Sequence, residues 1–166
     1  DATFIPANIC KNLTALTTVE IPETVTTIGD SAFYGCEGLT TVVIPDSVTK
    51  IEGSAFRECT GLTEIEIPDS VTSIRSYAFY NCTSITTVTI GDSVTSIGYR
   101  AFYNCTSLTS ITIPDSVTSI GRGILYGNTV LESLSVPFIG SSKSSTNKLE
   151  YIFNGDSWYN YNRSVP

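Results

Sequence analysis

From Leu16 onward the apolar positions fall into three short groups separated by polar residues, and the arrangement then begins again. Restarts stand at Leu16, Leu39, Leu62, Ile85, Leu108 and Leu131, at a constant period of 23. Five full units run from Leu16 to Val130, and a sixth opens at Leu131. Each reads approximately L-T-x-V-x-I-P-D-S-V-T-x-I-G-x-x-A-F-x-x-C-x-x. An unbroken period of this length marks a stacked-repeat architecture, in which one supersecondary unit recurs.

The first apolar group alternates. In the second unit Val42 and Ile44 share one face while Thr41 and Val43 take the other, which predicts a strand with one buried side. Pro45 has no N–H to donate and ends the ladder. Asp46 and Ser47 supply turn chemistry. Val48 and Ile51 turn inward again, followed by Ala55 and Phe56, and then Cys59. One such coil cannot bury its own apolar face, but coils stacked at about 4.8 Å close a continuous core. The interior is then a set of columns: Val19, Val42, Ile65, Val88, Ile111; Ile21, Ile44, Ile67, Ile90, Ile113; and Phe33, Phe56, Phe79, Phe102, closed by Leu125.

The unit resembles the BspA-like (Treponema-type) leucine-rich repeat, with "IPDSVTSIG", "AF" and "C" in the places that family requires. The resemblance covers Leu16 to Val130 strongly and the rest loosely. It implies a right-handed leucine-rich-repeat solenoid of 23-residue coils. A parallel β-sheet would form the concave face, with short strands, turns and 3-10 or helical turns on the convex side. It also implies a bacterial surface-exposed or secreted module, extracellular in location, that binds a host or cell-surface protein in the manner of an adhesin.

The ends depart from the pattern. Residues 1–15 read as an irregular, partial N-terminal coil, because the step from Cys10 to Cys36 is 26 rather than 23. Residues 131–166 read as an irregular sixth unit with a polar stretch at 141–147, from which Leu149, Tyr151, Ile152 and Phe153 could return to the core. With no polar capping helix in view, this tail is expected to be cut from a longer array. The chain opens on Asp1 without a signal-like segment, so any signal peptide is expected to have been removed or to lie outside this sequence.

Composition narrows the function. The formal charge is −7 and the pI about 4.4, without basic clusters, which argues against nucleic acid and anionic membranes as partners. No apolar run approaches the roughly 20 residues of a membrane helix, so membrane insertion is not expected. The sequence contains no histidine. A Ser-His-Asp or Cys-His catalytic set and a His-containing zinc site are therefore excluded. No acid–base pair stands apart from the repeat, so the chain is not expected to be an enzyme and no cofactor is implied. Cys36, Cys59, Cys82 and Cys105 form one column, with Asn128 in the same place. They are expected to be buried free thiols acting as small apolar side chains. The Asn-x-Ser/Thr matches at Asn12, Asn81, Asn104 and Asn162 are read as accidental.

Three surfaces are candidates. The solvent side of the concave sheet should carry Thr18, Thr41, Glu64, Thr87 and Ser110, and beside them Glu20, Val43, Glu66, Thr89 and Thr112. Its glutamates favour a basic protein partner. The column Glu23, Asp46, Asp69, Asp92, Asp115 could in principle chelate a cation, but is expected to serve turns. Trp158, Tyr159 and Tyr161, with the column Tyr34, Tyr80, Tyr103, Tyr126, could anchor a protein or stack on a glycan. A structural spacer presenting another domain, and glycan binding through the aromatic tail, are the alternatives to protein binding.

Overall fold

The computed structural model describes residues 2–137 and 150–153. Each 23-residue unit makes one coil of a right-handed solenoid with two parallel strands per turn. The longer strands are β2 (Thr18–Glu20), β4 (Thr41–Val43), β6 (Glu64–Ile67), β8 (Thr87–Ile90), β10 (Ser110–Thr112) and β12 (Ser133–Ser135). Two-residue strands alternate with them: β1 (Phe4–Ile5), β3 (Thr27–Ile28), β5 (Lys50–Ile51), β7 (Ser73–Ile74), β9 (Ser96–Ile97) and β11 (Ser119–Ile120). A one-turn helix, α1 (Glu150–Phe153), follows.

The short strands form one six-stranded sheet in the order β1-β3-β5-β7-β9-β11. The longer ones fall into two groups, β2-β4 and β6-β8-β10-β12. Across that break Thr63 N still donates to Thr40 O at 3.2 Å. Every pairing keeps the sequence period, as in Val19↔Val42, Ile65↔Val88 and Ile51↔Ile74.

The predicted columns form the core. Phe33, Phe56, Phe79 and Phe102 are buried and stacked, with centroids 5.2, 5.4 and 5.3 Å apart and planes within 12°. The repeated threonines do more than suit a strand. Thr49, Thr72, Thr95 and Thr118 each donate both N–H and Oγ1–H to the carbonyl of the threonine one coil earlier. A second threonine ladder runs through Thr40, Thr63 and Thr86.

The cysteine column has a polar duty as well. Sγ of Cys59, Cys82 and Cys105 donates to the carbonyls of Phe33, Phe56 and Phe79, at 3.1, 3.1 and 3.4 Å. Asn128 Nδ2 makes the same bond to Phe102 O at 3.1 Å, which explains why asparagine can stand there. All five cysteines are free thiols; Cys10 is half-buried and the other four are buried.

The hydrogen bonds also settle the place of Cys10. Asn8, Cys10 and Asn12 donate to Asp30, Ala32 and Tyr34, as Ser31, Phe33 and Gly35 donate to Gly53, Ala55 and Arg57. Cys10 thus stands in the phenylalanine column, one full period before Phe33, and Leu13 holds the cysteine place. The longer step to Cys36 is a change of slot, not of coil length.

At the other end Leu125 N donates to Ile152 O, and Ile152 is buried. Phe153 packs against the core and Tyr151 is half-buried, whereas Leu149 lies outside the described residues. Ile152 O accepts from Leu125 N as Ile124 O does from Phe102 N, so Ile152 takes the place one coil beyond Ile124 at a step of 28 in place of 23.

Two outcomes follow from this core. Phe79→Ala removes the ring between Phe56 and Phe102 and should lower unfolding free energy by about 3–5 kcal/mol, read from urea denaturation. Burial raises all five thiols, and pushes Cys105 up to about 12 from an ordinary 9.0. The unfolded thiol ionises first, so that part of the stability is whole below pH 9 and is lost as pH rises toward 12. Each unit in that window should cost about 1.4 kcal/mol for this thiol. Cys105→Ala should flatten the fall in urea midpoint between those limits; an equal fall in both proteins would contradict it.

Candidate functional site

Period-two alternation fixes which side chains the longer strands present outward. Thr18, Glu20, Thr41, Val43, Glu64, Glu66, Thr87, Thr89, Ser110 and Thr112 are all exposed. They form two columns. One pairs Thr18↔Thr41 and Glu64↔Thr87↔Ser110; the other pairs Glu20↔Val43 and Glu66↔Thr89. Ser133 and Ser135 on β12 extend both columns by a coil. Val43 is 78% exposed, an apolar side chain between two glutamate rungs.

The strand is followed at once by the Pro-Asp-Ser turn, which sets a carboxylate column beside the sheet. Asp46, Asp69 and Asp92 share a depression with Glu66 and Thr89. A second depression joins Thr89, Asp92, Thr112 and Asp115. The two share Thr89, Ile90 and Asp92, so they form one shallow groove crossing the strands, floored by Ile67, Ile90, Ile113 and the prolines 68 and 114.

The carboxylate of Asp69 bonds across coils and not within its own turn: Asp69 Oδ1 accepts from Asp92 N at 2.7 Å. The neighbouring serines also reach back one coil. Ser47, Ser70 and Ser116 donate to the carbonyls of Val25, Val48 and Val94 at 2.7, 2.6 and 2.8 Å. Among the described residues no group of three or more Cys, Asp or Glu side chains is arranged to hold a metal ion.

The tyrosine column belongs to a longer stack on the convex side. Its order is Lys11, Tyr34, Arg57, Tyr80, Tyr103, Tyr126, one residue per coil. Lys11 Nζ lies 5.0 Å above the Tyr34 ring, and the Arg57 guanidinium lies 5.4 Å from Tyr34 and 4.7 Å from Tyr80. Tyr80, Tyr103 and Tyr126 stack at 4.7 and 4.9 Å. Burial, and then a hydrogen bond to Glu58, push the Tyr34 phenol up. A stacked ring has spent its faces on its neighbours, which leaves no open ring face for a ligand to stack on. Trp158, Tyr159 and Tyr161 lie outside the described residues. The sequence reading missed the arginine and lysine rungs, although counting 23 in either direction from Tyr34 reaches both.

Comparison with known proteins agrees with this geometry. Residues 3–132 and 50–155 match the BspA type leucine rich repeat region. The structure resembles the Treponema pallidum leucine rich repeat protein, with a TM-score of 0.78 and 31% identity over 80% of this chain. It also resembles a leucine rich cell surface protein of Faecalibacterium prausnitzii A2-165, with a TM-score of 0.75 and 39% identity over 86% of this chain. A leucine-rich repeat protein of Bacteroides ovatus gives a TM-score of 0.63 and 28% identity over 81% of this chain. This chain spans 62%, 37% and 40% of those three chains. No curated protein matches it. No helix among the described residues is long and apolar enough to cross a membrane. On the family match and the shared coil geometry, the chain belongs to the BspA-type leucine-rich-repeat family.

Proposed function

We propose that this chain is a protein-binding module of adhesion type, acting at the bacterial surface or outside the cell, and that it binds through the exposed face of β2, β4, β6, β8 and β10. One observation carries the reading. The buried columns repeat almost letter for letter, whereas the exposed positions of the longer strands change from coil to coil: Thr41 against Glu64, Val43 against Glu66. Rigid strands hold those varying side chains in fixed register, which limits the ordering cost of binding. The cell-surface description of the F. prausnitzii relative supports the location. A rigid spacer is the alternative, favoured by the unbroken stacking along the convex side.

The test begins with a partner captured from cell-surface proteins, identified, and measured against the purified chain. Glu64→Lys with Glu66→Lys should raise Kd by about tenfold or more, about 1.4 kcal/mol, since both carboxylates are exposed and sit on strand backbone that does not depend on them. An unchanged Kd would remove this face from the reading.

A further inference from the structure

Resting on the reading of this face as the binding surface, we infer that the groove between the sheet and the Asp column holds a cationic polyproline-II segment of the partner, with lysine or arginine at every third residue. Charge is the first support. Glu66, Asp46, Asp69, Asp92 and Asp115 line the groove, and no lysine or arginine does. Among the described residues all six cations lie elsewhere. Lys50 is on β5, Arg75 faces Glu52, Arg122 follows β11, and Lys11, Arg57 and Arg100 stack on convex tyrosines.

Spacing is the second support. The groove crosses the strands, so its carboxylates recur with the coils, at about 4.8 Å per rung and about 9.6 Å per two rungs. A polyproline-II helix turns once in three residues of about 3.1 Å, so one of its faces recurs every 9.3 Å or so. That matches two rungs. An extended strand repeats a face at about 6.7 Å, which fits neither one rung nor two. An α-helix advances about 5.4 Å per turn and slips by more than half an ångström at each rung. The groove is shallow and floored by isoleucine and proline, which suits a narrow, stiff ligand that has little entropy to lose. Val43 precedes the groove residue Glu66 by one coil in the same outward column and is 78% exposed, so an apolar side chain of the same segment would meet it there.

The test uses fluorescein-labelled peptides and anisotropy. One carries four Lys-Pro-Pro repeats, the second has the same composition with its lysines contiguous, and the third replaces lysine by glutamate. The Lys-Pro-Pro peptide should bind the whole chain about tenfold or more tighter than the contiguous one, and the glutamate peptide should not bind. Asp46→Asn with Asp92→Asn keeps the turn chemistry and should weaken binding about tenfold, with the circular dichroism spectrum and urea midpoint showing that the fold is kept. Equal binding of the two lysine peptides, or binding indifferent to Asp46→Asn and Asp92→Asn, would overturn the inference. Glu64 lies outside the groove, so Glu64→Lys alone, measured with the captured partner, separates the two readings. Loss there without peptide binding overturns only the groove occupant; loss in neither experiment overturns both.

Discussion

The structure depends on coils stacking in one unbroken parallel register. Buried polar groups are satisfied in two ways: turns within a coil, as in Val48 N to Pro45 O and Cys59 N to Phe56 O, and bonds to the coil before or after. Backbone amides reach across, threonine hydroxyls reach back 23 residues, serine hydroxyls 22, and cysteine thiols 26. A slip of one residue would turn the apolar side of each strand to water and break all of these bonds together. The like-on-like columns are a consequence. Only rings of one shape can stack with planes 2° to 12° apart at the distance that the backbone ladder imposes.

The same register exacts a conformational cost at two points in each coil. Asn8, Ser31, Ser54, Tyr77, Arg100 and Gly123 all have positive φ, and so do Asn12, Gly35, Glu58, Asn81, Asn104 and Gly127. Glycine and asparagine tolerate this region well, but Glu58, Tyr77 and Arg100 each give up about 1–2 kcal/mol to sterics there. Their contacts work against that cost. Arg100 lies over Tyr99 and Tyr103 at 4.9 and 4.8 Å, Arg57 lies over Tyr77 at 5.7 Å, and Glu58 accepts from Arg57 at 3.3 Å. Cation–π contacts at half-exposed sites contribute about 0.5–1 kcal/mol each, enough to offset much of the strain. The convex stack is therefore the outer layer of the scaffold, and its non-glycine turns depend on it.

Periodicity alone disclosed the coil, the columns and the outward-facing positions of the longer strands, because a repeat of 23 and an alternation of two leave one consistent folding of the chain. What stayed hidden depends on backbone direction. The thiol-to-carbonyl bonds need the Phe carbonyl of the preceding coil to point at the cysteine, and no residue type announces that. Glutamate, tyrosine and arginine are poor signals of a left-handed turn, so Glu58, Tyr77 and Arg100 gave no warning. Cys10 misled because its residue type suggested one slot while its count from Phe33 assigned another. The groove was also unreadable: its two walls are separate columns, and only the tightness of the Pro-Asp-Ser turn brings them side by side.

The scaffold's economy bears on where specificity can reside. In a stacked array a surface substitution is felt by its own coil and the two adjoining coils, and not beyond. Exposed letters can therefore change independently while the columns beneath them cannot. The convex tyrosines are not free in this sense, since each ring is a stacking partner for the next and altering one disturbs two neighbours. The outward side chains of the longer strands have no such duty. Thr87, Ser110 and Thr112 alternate with the buried Val88 and Ile111 and face outward, and Glu64, Glu66 and Val43 show how far the same positions can depart. Among the described residues, freedom from packing, rigid placement and a carboxylate rim coincide on this face, and that coincidence is a stronger reason to look for a ligand there than any single residue on it.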